Sequence, residues 1–464
     1  MAPNIMNQSL KNRSKKWKRM KIFAISFFIL IQLNITNTFA KGIPILRDAE
    51  IENILYQATG PLFKAANLNP KSVTLYLVND QSLNAFVAGG QKIFIHTGLI
   101  LNSSNFDQIL GVLAHELGHI SGGHLIRASQ ARKRASTSSL MGLMLGSVAI
   151  MSGNPNAGAA AIQLGRDVGI KKYLSFNRTQ EIAADQAGLK YLEKSGQSAI
   201  GLLEFMEKLQ NQELLNKTHQ DPYVRTHPLN QSRIQAIRFH IKHSKFSNIT
   251  VSKKLKKDYE IMKAKIFGYT KPLSETLRVY KRLKTSPFSK YAHTMAYFRI
   301  GDMRKAIKLI DQLTREYPSN PFYEELKGQI FLELGQPKRA LNSLKKSVQL
   351  MPDSPLLRSE LANIQIQINE PEYLNQAIIH LEHSLLAERN NPRMWRQLGI
   401  AYGKLGYLGR SWQALSEESF IRGQYQDALS YAKRAQQKLK SGSSSWLRAE
   451  DISLASQRRL DIEK

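Results

Sequence analysis

The chain of 464 residues contains no cysteine. Disulfides, thiolate nucleophiles and thiolate metal sites are therefore excluded, and any bound metal must be held by His, Asp or Glu. Acidic residues are scarce, 36 against 66 Lys and Arg, which gives a net charge of +30. Seven of those charges (Lys11, Arg13, Lys15, Lys16, Lys18, Arg19 and Lys21) lie in the first forty residues, leaving +23 on the rest. Such an excess suits an anionic surface. The basic residues are nevertheless spread over amphipathic helices and no nucleic-acid module is present, so we expect a solvated basic surface and no nucleic-acid partner. Charge of either sign is missing altogether from Ala135 to Gly165. A long apolar run is missing too. The run Ile22–Leu33 falls short of the about 20 residues that a spanning helix requires.

That short run follows "KNRSKKWKRMK" and precedes a polar stretch ending in "TFA". A basic segment, an apolar segment and a small-residue cleavage site after Ala40 have the form of a secretory signal, which predicts export of residues 41 onward. An uncleaved anchor is the alternative; either way the remainder lies outside the cytoplasm.

The residues that follow read as alternating local structure. Ile51, Ile54, Leu55, Ala58, Leu62 and Ala65 recur at helical spacing. "SVTLYLVND" (Ser72–Asp80) and "QKIFIHT" (Gln91–Thr97) alternate and are rich in β-branched and aromatic residues, as strands are, with the Gly89-Gly90 pair marking a turn between them. "FDQILGVLAHELGHISGGHLIRAS" predicts one long helix. The uncharged stretch 135–165 is broken by "SGNPN"; we expect a mobile flap over a cleft, with a buried pair of short helices or a membrane-touching hairpin as the other two readings. "RTQEIAADQAGLKYLEKSG" is a helix stopped by Gly196.

From about Thr285 the pattern changes. Gly301 and Gly335, Ala306 and Ala340, and Pro318 and Pro352 keep one 34-residue phase, and "WRQLGIAY" (Trp395–Tyr402) matches the W-x-x-L-G-x-x-Y core of the tetratricopeptide repeat. Gly423 and Ala428 open a last helix pair. Each unit is two helices that bury their apolar faces only by stacking into a solenoid.

Chemistry concentrates in "AHELGHISGGH". On a helix, residues four apart share a face, so His115 and His119 direct their imidazoles at one point with Glu116 beside them. This is the H-E-x-x-H arrangement, in which two imidazoles hold a metal and the glutamate activates water. A third ligand is required. The spacing that would supply a third His from the same segment places it at position 125, which is leucine; His124 comes one residue early, about 100° around a continuous helix, and is expected to bond to the scaffold instead. "EIAAD" offers Glu181 as the missing ligand and, four residues on, Asp185 to orient a liganding imidazole.

"HELGH" followed by "EIAAD", with "NAFVAGGQKIFIHTGLI" before them, resembles the HtpX-like and CAAX-prenyl-protease-like zinc metallopeptidases. With the export signal and the repeats, the resemblance implies an α+β, zincin-like metalloprotease domain, mostly helical with a small sheet, joined to an all-α tetratricopeptide solenoid. It also implies one zinc ion per chain, held by His115, His119 and Glu181, with Glu116 and Asp185 as catalytic and orienting residues. The implied function is periplasmic cleavage of outer-membrane β-barrel proteins stalled in assembly, the repeats meeting those clients or the assembly machinery. "THPLNQSRI" resembles the family's segment near the site, which makes His227 a candidate to fill the open metal position at rest or to donate to the oxyanion, and Arg233 a candidate partner for a carboxylate.

We therefore expect a signal at 1–40, the peptidase at 41–265, a linker region at 266–284 and repeats at 285–464. The strand Gln91–Thr97 is expected to pair with an extended substrate at the sheet edge. The competing function is a repeat scaffold or chaperone whose peptidase fold grips clients without cutting, and peripheral contact with a membrane is left open.

Overall fold

The computed structural model describes residues 43–70, 72–151, 155–215, 222–281 and 286–463. The expected export signal lies outside these residues. Among them, no helix is long and apolar enough to cross a membrane.

Four short strands, β1 (Ile45–Leu46), β2 (Thr74–Val78), β3 (Ala85–Ala88) and β4 (Lys92–His96), form one sheet in the order β1-β2-β4-β3. β4 runs parallel to β2 and antiparallel to β3. Its backbone is thus paired on both sides, and the expectation that Gln91–Thr97 receives substrate at an edge is wrong. A β-hairpin through Gly89 and Gly90, at φ +58° and +93°, folds β3 over the side that was expected to be free. Among the described strands, β3 is the outer one beside β4.

Against the sheet lie helices α1 (Ala49–Ala65), α2 (Thr97–Asn102) and α3 (Phe106–Ser121). Asp48 and Asn105 cap the first and third of these, accepting from Ile51 N at 2.9 Å and Gln108 N at 3.0 Å, as short polar side chains do at helix starts. Ile109, Leu110, Val112, Leu113 and Leu117 of α3 are buried in the peptidase core with Leu75, Ile93 and Ile95 of the sheet. The histidine-bearing helix is therefore fixed on its apolar side before any site is considered.

The sequence predicts one helix through His124, but the structure breaks it. Gly123 adopts φ +60°, a left-handed conformation that costs glycine little and other residues much, and a second helix, α4, starts at His124 and runs to Met151. α5 (Pro155–Lys194) packs back along α4. Over its described residues, 135–151 and 155–165, the uncharged stretch is helical and not a buried pair of short helices. It forms the far ends of two long helices, with Leu140, Met141, Met144, Leu145 and Leu164 at least half exposed.

After α6 (Ile200–Leu215), α7 (Pro222–Thr226) and α8 (Gln231–His243) comes α9 (Lys253–Thr270). The expected peptidase boundary at 265/266 falls inside this helix. Tyr259, Met262 and Ile266 of α9 belong to the peptidase core, whereas Ile261 belongs to the core of the first repeat. One helix serves both, so the chain has no break there. The rest of the expected linker includes α10 (Leu273–Val279).

Ten helices follow as pairs: α11 (Pro287–Arg299) with α12 (Met303–Glu316), α13 (Pro321–Glu333) with α14 (Pro337–Leu350), α15 (Pro355–Ile368) with α16 (Pro371–Ala387), α17 (Pro392–Lys404) with α18 (Leu408–Ile421), and α19 (Tyr425–Lys438) with α20 (Ser444–Glu463). Gly301, Gly335 and Gly406 take positive φ at the turns inside pairs, which is why the 34-residue phase is marked by glycine. Asn369 takes that place in the third pair at φ 62°, and α16 there extends to 17 residues. The fold is α+β followed by an all-helical repeat array, as expected.

Candidate metal centre

Two helices supply the site because two glycines let them meet. A Cβ on Gly118 would stand 2.5 Å from the carbonyl oxygen of Ala184, and one on Gly188 would stand 3.1 Å from that of Ala114. Gly118 leaves no room for a side chain and Gly188 little, which lets α3 and α5 touch backbone to backbone, and this contact sets the "HELGH" face against the "EIAAD" face.

At the crossing, one donor atom from each of His115, His119, Glu181 and His227 lies within 4.8 Å of the others. His115 Nε2 is 3.0 Å from His119 Nε2 and 3.3 Å from His227 Nδ1. Glu181 approaches all three imidazoles, at 3.4 Å from His115 Nε2, 3.4 Å from His119 Nε2 and 3.2 Å from His227 Nδ1. The sequence-predicted ligands are thus brought together, and His227 joins them from the turn after α7. Three imidazoles and a carboxylate are a donor set that fits a divalent transition metal.

The surrounding shell orients this set. His115 Nδ1 is 2.8 Å from Asp185 Oδ1, which leaves Nε2 facing the cluster. Asp185 is held in turn by Arg233, whose Nε donates to Oδ2 at 2.6 Å and Nη2 to Oδ1 at 2.9 Å. The same guanidinium reaches Glu181 Oε2 at 3.1 Å from Nη1 and donates to the carbonyl of Pro228 at 2.7 Å. Arg233 is buried and ties three segments together. His124 departs from the geometry of a continuous helix. Because α4 starts afresh after Gly123, its Nδ1 comes 3.0 Å from His119 Nδ1, so the scaffold group it meets is an imidazole of the cluster.

Glu116 is buried beside the cluster, and neither of its carboxylate oxygens has a hydrogen-bond donor among the described residues. His227 Nε2 stands 3.5 Å from Oε1. Burial pushes the Glu116 carboxyl above its usual range, against the pull of the neighbouring imidazoles. A buried carboxylate with no donor is costly unless something polar is delivered to it. That is what a group meant to take a proton requires.

The titration of the metal-free site follows from the same contacts. Burial disfavours charge on His115, yet Asp185 and Glu181 outweigh it and push the imidazole up to about 10. Burial and the charge on His115 push His119 down to about 2. Burial would raise the Asp185 carboxyl, but the bonds from Arg233 and His115 hold it below the usual range. A metal ion would have to displace the proton from His115.

One site residue escaped the sequence reading. Tyr223 stacks on His227, ring centroids 4.5 Å apart at 26°, and is buried. The signal was its spacing, four residues before His227, but the short turn of helix Pro222–Thr226 gives no periodicity from which to read it.

Residues 46–241 match the model of peptidase family M48, a span that includes every residue of this site. The chain is 27% identical over 408 residues to a putative beta-barrel assembly-enhancing protease of Vibrio cholerae serotype O1, covering 86% of this chain and 82% of that one. It is 25% identical over 408 residues to the beta-barrel assembly-enhancing protease of Escherichia coli K12, with the same coverage. Among solved structures, YrrB, a TPR protein with an unusual peptide-binding site, aligns with a TM-score of 0.32 at 17% identity, over 38% of this chain and 91% of that one.

Proposed function

We propose, from the match of residues 46–241 to peptidase family M48, that the protein is a periplasmic zinc endopeptidase that cuts outer-membrane β-barrel proteins caught in assembly and assists the rest. The observation that carries the chemistry is the convergence of His115, His119, Glu181 and His227 beside a buried Glu116 that lacks a donor. Zinc is favoured by two imidazoles from one helix and a carboxylate from a second, the ligand pattern of His₂Glu peptidases. Export is supported by the form of the first forty residues. The client class is taken from the names of the relatives, and the repeats supply a concave surface on which clients or assembly partners would dock.

When bound, the metal supplies Lewis acidity towards the scissile carbonyl and the attacking water. The chain's own residues do the rest. Glu116 takes the proton from water and returns it to the leaving amine, Asp185 fixes the tautomer of His115, and Arg233 holds Asp185 and Glu181 in place. An extended substrate would pair with β3 and not with β4, because β3 is the outer strand beside β4.

The test is metal content and peptide cleavage on the same samples. Wild type is expected to carry one zinc per chain and His115→Ala to carry little and cut nothing. A His115→Ala protein that keeps its full metal complement would overturn the assignment. The scaffold alternative gives Glu116 no task, and nothing in the site favours it.

His227 stands 3.3 Å from His115 Nε2, 3.2 Å from Glu181 and 3.5 Å from Glu116, and we assign it a blocking role at rest. His227→Ala is expected to retain zinc and to cleave a short peptide faster than wild type. A slower variant would transfer His227 to the oxyanion instead.

A further inference from the structure

A cavity of about 470 Å³ lies away from the metal centre, where the repeats meet the peptidase core. One wall is made by the first helices of four successive repeat pairs, α11, α13, α15 and α17, and the other by residues 46–51 and by α9. Its volume is within the range of a site that binds one anchoring group.

Glu325 of α13 lines this cavity and is 8% exposed. Among the described residues it has neither a hydrogen-bond nor an ion-pair partner. The nearby cations are already engaged. Lys265 pairs with Asp48 at 2.7 Å and Glu50 at 3.2 Å, and Arg393 pairs with Glu360 at 2.9 Å. Arg47, which lines the same cavity, is engaged as well, donating from Nη1 to Glu388 of the repeats at 2.9 Å and from Nε to Glu52 at 2.7 Å. Glu325 is thus a buried acid of the wall that receives the pull of Lys265 but no hydrogen bond or ion pair among the described residues, and Met295, Phe298 and Leu326 share the lining with it.

We propose that this cavity binds a lysine or arginine side chain of a partner polypeptide, its cationic head on Glu325 and its methylene stem along the apolar wall. A long basic side chain matches both halves of the lining, since its stem is apolar and its head is charged. Because the cavity has walls from both parts of the chain, the partner would touch repeats and peptidase core at once. The proposal does not depend on proteolysis and goes beyond the reading of the metal centre.

An independent readout comes from the state of Glu325. Burial first, and then Asp48, Glu360 and Glu50, push its carboxyl up to about 8 against the pull of Lys265. Arg47, Arg393 and Glu333 are the other charged groups in the walls. At neutral pH the carboxyl is mostly protonated, so a cation binds more tightly as pH rises through that value.

The experiment uses the full chain and a fluorescein-labelled hexapeptide of alanine and leucine with one central arginine, compared with its citrulline twin by fluorescence anisotropy. The arginine peptide is expected to bind at least about tenfold more tightly. Glu325→Gln should abolish that advantage, and with it the tightening between about pH 6.5 and about pH 9 that wild type shows. Equal binding of the two peptides by wild type, an advantage that survives Glu325→Gln, or no binding of either would overturn the proposal. The comparison of peptides on unaltered protein keeps the test valid should the variant fold poorly.

Discussion

Glu116→Gln lowers kcat for peptide cleavage by about a hundred- to ten-thousand-fold while leaving zinc content and thermal stability close to those of wild type. The expected range is that of losing a positioned general base. Stability is retained because the side chain makes no hydrogen bond among the described residues and an amide has the same shape. Its carboxyl is already raised by burial, so a neutral group at that place removes little favourable electrostatics. Parallel measurements of turnover, metal content and melting decide the matter. A variant within about threefold of wild-type activity would remove Glu116 from the chemistry, since three-fold corresponds to well under 1 kcal/mol of barrier.

Arg233→Leu is expected to have the largest effect on stability, a loss of about 3–5 kcal/mol. The guanidinium is fully buried, and its removal strips Asp185 and Glu181 of the cation they share, leaving the His115 imidazole as the group that still touches both buried carboxylates. Breaking a buried pair costs more than the pair contributes, because the surviving charge is stranded. The double variant Arg233→Leu with Asp185→Leu should therefore recover part of the loss. Denaturant unfolding measures both, and a single-variant loss below about 1 kcal/mol, the usual value of an exposed pair, would show that the network is not the tie described above.

The parts of this site that could be read in the sequence share one property: they are local. His115, Glu116 and His119 lie on one helical face, as do Glu181 and Asp185, and helical spacing reports that directly. The same holds for the repeats, whose glycines mark turns with positive φ. What could not be read was set by contacts between distant segments. Strand order is one case: nothing within "QKIFIHT" reveals that both of its sides are paired. The role of α9 is another, since its apolar residues look alike whether they face the peptidase core or the first repeat. The break at Gly123 is legible in principle, because a Gly pair marks a turn at 89–90 as well, but the strong helical pattern on both sides conceals it. The contact of His124 with His119 depends on that break. The close approach of α3 to α5 was also written in the glycines, although only the fold shows which of them face each other.

The double service of α9 bears on how the molecule can be divided. A beam built into two rooms cannot be sawn at the party wall, and a fragment cut at residue 265 would end in mid-helix, taking Tyr259 and Met262 but leaving Ile266 behind. The hydroxyl of Tyr259 donates to the carbonyl of Ser103, just ahead of the helix that carries the histidines. Excising the catalytic half therefore loosens the floor on which its own ligands stand, and whatever tugs on the first repeat acts on that floor as well.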